Sequence, residues 1–144
     1  MDNNINMSEN DKFLYYLLDI QEAAVQLVLF ADLLSYEVAL EGKDIILSRY
    51  YNTGNSIKDS DIDVLVLKSL YIYAIARVMF FYVAIQRYNY LSNLKQQGEW
   101  QYSLEPNILI NINNIFSLIA LVLGIDASWE VYSRDIAVPV FGIR

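Results

Sequence analysis

Residues Ser69–Gln86 read SLYIYAIARVMFFYVAIQ, apolar or aromatic almost throughout, with Arg77 close to the middle. Such a run is either a membrane span that tolerates one cation or a buried helix that needs it. A spanning helix takes about 20 mainly apolar residues. The widest window here, Val64–Ile85, holds both Lys68 and Arg77, and each such charge costs about 2.5–3.5 kcal/mol at the centre of an inserted helix. Asp19, Glu22, Gln26 and Asp32 interrupt the first apolar segment, and the third is unbroken only over Ile115–Leu123. On these grounds a buried helix in a soluble bundle is the favoured reading, and a membrane span is the rival.

Composition narrows the function classes. Of 144 residues, 56% are apolar, 14% aromatic and 19% charged, with a mean hydropathy of +0.27. Average soluble chains are roughly 45–50% apolar and about 25% charged, so this chain has apolar surface to spare for protein contacts or lipid. The net charge is −7 and no basic run occurs. Nucleic-acid binding, which needs clustered Lys and Arg to displace counterions from phosphate, is therefore not expected. The chain has no cysteine and no histidine, which removes disulfides, thiolate nucleophiles, Cys/His zinc sites and His-based acid–base catalysis. DSDID (Asp59–Asp63) lacks the glycine and terminal Glu of a calcium loop, and no phosphate-binding or dinucleotide glycine pattern is present. No cofactor is expected. The start, MDNNINMSENDK, has neither the basic nor the apolar region of a signal peptide, so a cytoplasmic location is expected. Richness in Ile, Asn and Tyr suits an AT-rich bacterial or phage genome.

The periodicity is helical. A first segment runs from about Ser8, where Ser8 and Asp11 form a variant capping box, to about Tyr51, with Gly42 a point where it kinks or splits. YNTGNSIKD makes a turn. The second segment opens at Ser60 with Asp61 and Asp63 in its positive first turn and stops at Gly98. The third opens at Pro106 and stops at Gly124, after which DASWEVYSRD is read as a short fourth helix. Pro139 makes the tail, Ile136–Arg144, extended. Its last residues, VPVFGIR, resemble the short apolar–glycine–apolar–basic docking tails of some encapsulated cargo proteins, a likeness confined to seven residues. Ser8, Lys12, Asp19, Glu22, Gln26, Glu37, Glu41, Asp44 and Ser48 share one stripe at helical spacing on the first segment. Asp61, Lys68, Gln86, Asn89 and Asn93 share one on the second.

A buried Arg77 requires a partner, because an isolated charge in a core is heavily penalised. Asp32 also points away from its helix's polar stripe. A hairpin turning near residue 55 sets Asp32 opposite Arg77, and at the same register Glu41 opposite Lys68, Glu22 opposite Arg87 and Arg49 opposite Asp61. A buried Asp32–Arg77 ion pair that fixes helix register is the expectation, with Tyr73 and Ser35 in reach as hydrogen-bond partners. The polar stripes are interrupted at mid-length: Ile72, Ile75, Met79 and Tyr82 on the second segment, Phe30 and Leu33 on the first. Contiguous exposed apolar residues mark partner surfaces, so these six are expected to form an interface.

The sequence thus predicts a single all-α domain over residues 1–144. It is a helical bundle built on a long antiparallel hairpin, with a third helix and a short fourth helix or extended C-terminal tail, preceded by a polar lead over residues 1–7. Function is read as that of a non-enzymatic structural or scaffold protein acting through a homo-oligomer or another protein. The alternatives are a membrane-associated or pore-forming helical protein and a small-molecule sensor with an apolar pocket between its helices.

Overall fold

A computed structural model of the chain describes residues 7–51 and 59–137. These form three helices, α1 (Glu9–Tyr51), α2 (Asp59–Gln96) and α3 (Glu105–Ala137), with no strand among the described residues. At about 1.5 Å per residue the three run roughly 64, 57 and 50 Å.

The ends of the helices are chemically marked. At the start of α1 the backbone N–H of Asp11 donates to Ser8 Oγ at 3.1 Å, the Ser half of the expected capping box, while the Asp11 carboxylate accepts from the Ser8 hydroxyl at 2.7 Å rather than from the Ser8 backbone N–H. α2 ends in a left-handed Gly98 with φ +78°. The Glu99 N–H returns to the Leu94 carbonyl at 2.9 Å and the Gly98 N–H to the Lys95 carbonyl at 3.1 Å. These two bonds make a Schellman cap, which needs the positive φ that glycine adopts without strain. α3 opens at Glu105, one residue before Pro106, where the Glu105 N–H donates to Ser103 Oγ at 3.1 Å.

Two other glycines do not act as punctuation. α1 continues through Gly42, and α3 continues through Gly124 to Ala137. The expected fourth helix over DASWEVYSRD is therefore the second half of α3. Helical propensity explains this: an interior glycine costs only about 1 kcal/mol relative to alanine, less than a continuous helix recovers by packing. Ile136 and Ala137 belong to that helix, so the expected tail does not begin at Ile136. Its remainder, residues 138–144 with the VPVFGIR motif, lies outside the described residues, as does the polar lead over residues 1–6.

α1 and α2 are antiparallel neighbours: the rings of Phe13 and Tyr90 lie 5.8 Å apart near one end, and the Tyr73 hydroxyl donates to Asp32 Oδ1 further along. α3 also packs on α2, and α1 and α3 do not pack against each other. The result is an open layer with α2 in the middle. Leu17, Ala24 and Ala31 are buried on α1, and Ser69, Ala76 and Val83 on α2. Both sets recur every seven residues, the coiled-coil repeat, and the alanines let the backbones approach closely.

Candidate functional site

The register of the hairpin decides which groups meet. Asp32 comes opposite Tyr73, one helical turn short of Arg77, and accepts the Tyr73 hydroxyl. Asp32 is exposed and Arg77 half-buried. Neither takes part in an ion pair among the described residues, and the same holds for Glu22, Arg87, Glu41 and Lys68. The expected buried Asp32–Arg77 pair is therefore corrected: the two residues are offset along the hairpin, and the layer is too open to enclose the carboxylate. Surface ion pairs are worth at most about 1 kcal/mol, too little to set a register that the alanine seam already determines. Ser35, the other expected partner, lies in hydrogen-bond reach of the Tyr73 hydroxyl and donates its own to the Ala31 carbonyl at 3.0 Å.

Of the six residues expected at an interface, Phe30, Leu33, Ile75 and Tyr82 are exposed, Leu33 by 65% and Ile75 by 55%, while Ile72 and Met79 are half-buried. They belong to a much larger apolar surface. Leu18, Val25 and Leu29 join it on α1 and Val78 on α2.

α3 carries the feature that the sequence reading missed. Its buried residues are polar, Asn114 with 5% of its surface exposed and Asp135 with 8%. They lie on one heptad line with Asn107, Leu121 and Ser128, all half-buried. Its outward face carries Ile108, Leu109, Ile112, Ile115, Phe116, Ile119, Val122 and Leu123, all exposed. A helix packed in water normally does the reverse.

The aromatic residues gather at two levels. At one, Tyr15 and Tyr16 of α1 and Tyr88 and Tyr90 of α2 lie toward the end where Phe13 packs on Tyr90, with the Tyr16 hydroxyl reaching that of Tyr82; Trp100 and Tyr102, in the connection beyond α2, have rings 5.3 Å apart. At the other, Tyr36 of α1 stands with Tyr71 and Tyr73 of α2 and Trp129 and Tyr132 of α3. Here Trp129 Nε1 donates to the Tyr71 hydroxyl oxygen at 2.8 Å, and the Trp129 and Tyr132 rings pack edge to face at 5.6 Å. Tyr16 to Tyr36 is about 30 Å of helix and Tyr71 to Tyr88 about 26 Å. Between these levels α1 carries Asp19, Glu22 and Asp32, α2 carries Arg77 and Arg87, and the stretch Ile108–Ile125 of α3 carries no ionisable residue. All three helices are long and apolar enough to cross a membrane.

Comparison with protein-family models, with curated proteins and with solved structures finds no match to the chain. A functional reading rests on the geometry.

Proposed function

We propose that the chain is a membrane-embedded helical protein, non-enzymatic and structural in role, whose three helices cross the bilayer side by side and associate there with further copies or another membrane protein. The observation that carries this reading is α3, whose most buried residues are Asn114 and Asp135 and whose exposed face is apolar from Ile108 to Leu123, beside aromatic levels about 26–30 Å apart along α1 and α2. A bilayer core is about 30 Å thick, and Trp and Tyr concentrate at both of its boundaries. Small and hydroxylated residues at the helix contacts, here Ala24, Ala31, Ser69 and Ala76, are the usual means of packing helices in lipid, where apolar burial provides no drive. Lys68 and Arg87 fall near the two boundaries, where long basic side chains reach water. Tyr82, between the levels, and Tyr50 and Tyr51, beyond them, stand outside this scheme.

The second reading is a soluble scaffold in which neighbouring copies cover the same apolar faces. The observation favouring it is that Asp19 and Glu22 are exposed within the apolar band.

Fractionation of cells expressing the full chain, followed by alkaline carbonate extraction of the membranes, tests the proposal. The membrane reading expects the chain to stay in the extracted pellet and to need detergent for release. A monodisperse chain in the soluble fraction overturns it. The size of that species by light scattering then decides whether a scaffold reading survives.

A further inference from the structure

Arg77 and Arg87 line one open cleft of about 230 Å³, to which all three helices contribute residues. α1 contributes Gln21, α3 contributes Asn107 and Asn114, and Phe80 of α2 forms part of the apolar wall. In a chain with 17 acidic residues and a net charge of −7, no acidic side chain lines this cleft. Both arginines are half-buried and in no ion pair among the described residues. Gln21 Oε1 is buried there without a hydrogen-bond partner. Two half-buried guanidinium groups held this way are costly in the absence of an anion.

We propose that this cleft binds a phosphoryl dianion, supplied by a small phosphate monoester or by the monoester headgroup of phosphatidic acid. Its charge matches the two arginines. Guanidinium forks fit phosphoryl oxygens two at a time, which a lysine point charge does not reproduce. The carboxamides of Asn107, Asn114 and Gln21 supply neutral N–H donors, Gln21 by presenting its NH₂ group in place of the oxygen. The cleft has room for a phosphate group with its substituent against Phe80. Arg87 is next to Tyr88 in α2, and Arg77 lies about 15 Å from it along the helix. The inference rests on the cleft alone and holds whether the helices are surrounded by lipid or by protein.

The test is calorimetric titration of the full chain, purified in neutral detergent, with inorganic phosphate against sodium chloride at matched ionic strength. Saturable phosphate binding is expected, weakened about tenfold or more in Arg77→Gln and in Arg87→Gln. Binding is expected to be unchanged in Lys43→Gln, which removes one exposed charge elsewhere on α1. Arg87→Lys keeps the charge and loses the fork, and is expected to weaken binding even if a glutamine variant fails to fold. Native mass spectrometry of chains recovered from phosphatidylcholine vesicles with and without phosphatidic acid separates the two sources. Phosphatidic acid retained by the unaltered chain and lost from the arginine variants assigns the headgroup. Phosphate binding without retained lipid assigns the free ester. Equal phosphate binding by the unaltered chain and both arginine variants overturns the proposal, and so does a chain that binds neither phosphate nor phosphatidic acid.

Discussion

Trp129 of α3 donates its indole N–H to the hydroxyl oxygen of Tyr71 on α2 at 2.8 Å. The bond joins two helices that otherwise meet through a partly polar seam, so it helps to set how far α3 stands along α2. Removing the acceptor with Tyr71→Phe keeps the ring and isolates the bond. A neutral hydrogen bond contributes about 0.5–1.5 kcal/mol, and both side chains are partly exposed, so a loss near the lower end is expected in a denaturation curve. A change in Trp129 fluorescence should accompany it. An unaltered spectrum and midpoint would show that the two side chains do not meet.

Asp32 is coupled to Tyr73 rather than to Arg77, and a double-mutant cycle distinguishes the two arrangements. Asp32→Asn combined with Tyr73→Phe should show a coupling of about 1 kcal/mol. Asp32→Asn combined with Arg77→Met should be additive within about 0.5 kcal/mol. The reverse pattern would restore the register in which Asp32 faces Arg77.

Gly124 lies inside α3, and a methyl group there would meet Leu70 Cδ2 at 3.9 Å, an ordinary contact. Gly124→Ala should therefore stabilise the chain by about 0.5–1 kcal/mol, through helix propensity and the reduced freedom of the unfolded chain. A helix that ended at this glycine would predict a loss. The sign of the change in unfolding midpoint decides.

The alanine seam makes a third structural demand. Ala24 and Ala31 are fully buried where α1 meets α2, and a larger side chain must push the helices apart. Overpacking of this kind typically costs about 1–3 kcal/mol. Ala31→Leu should fall in that range, and Ala120→Leu, on the exposed side of α3, should be close to neutral. Equal stability of the two variants would mean that the α1–α2 seam lies elsewhere.

The parts of this architecture that were legible in the sequence are those written in local chemistry. Ser8 with Asp11 and the lone Gly98 announce helix ends because capping depends on residues a turn apart. The tertiary arrangement was harder to read for a physical reason. Ala24, Ala31 and Ala76 carry little hydrophobic signal, so the seam they form is inconspicuous beside the larger Leu and Tyr residues pointing away from it. Charge pairing across the hairpin is a weak register marker in water, and Asp32 with Arg77, Glu22 with Arg87 and Glu41 with Lys68 do not pair. On α3 the assumption that polar residues face outward fails at Asn107, Asn114 and Asp135. The sequence pattern shows that such residues share a face; it does not show which side of the helix packs.

That inversion allows a test in which lipid and water give opposite answers. Val122 is on the outward face of α3, 64% exposed, within the stretch Ile108–Ile125 that has no ionisable residue. In a bilayer Val122→Arg places a charge well inside the apolar band. The cost is about 2.5–3.5 kcal/mol at the centre of an inserted helix and less toward the boundary. The membrane-integrated fraction after carbonate extraction should therefore fall severalfold. Ser133→Arg, on the same helix beyond the level of Trp129, should leave integration unchanged. If water surrounds α3, replacing an exposed valine with a charge should raise solubility and leave stability within about 0.5 kcal/mol. Equal integration of the Val122→Arg and unaltered chains would remove α3 from the bilayer.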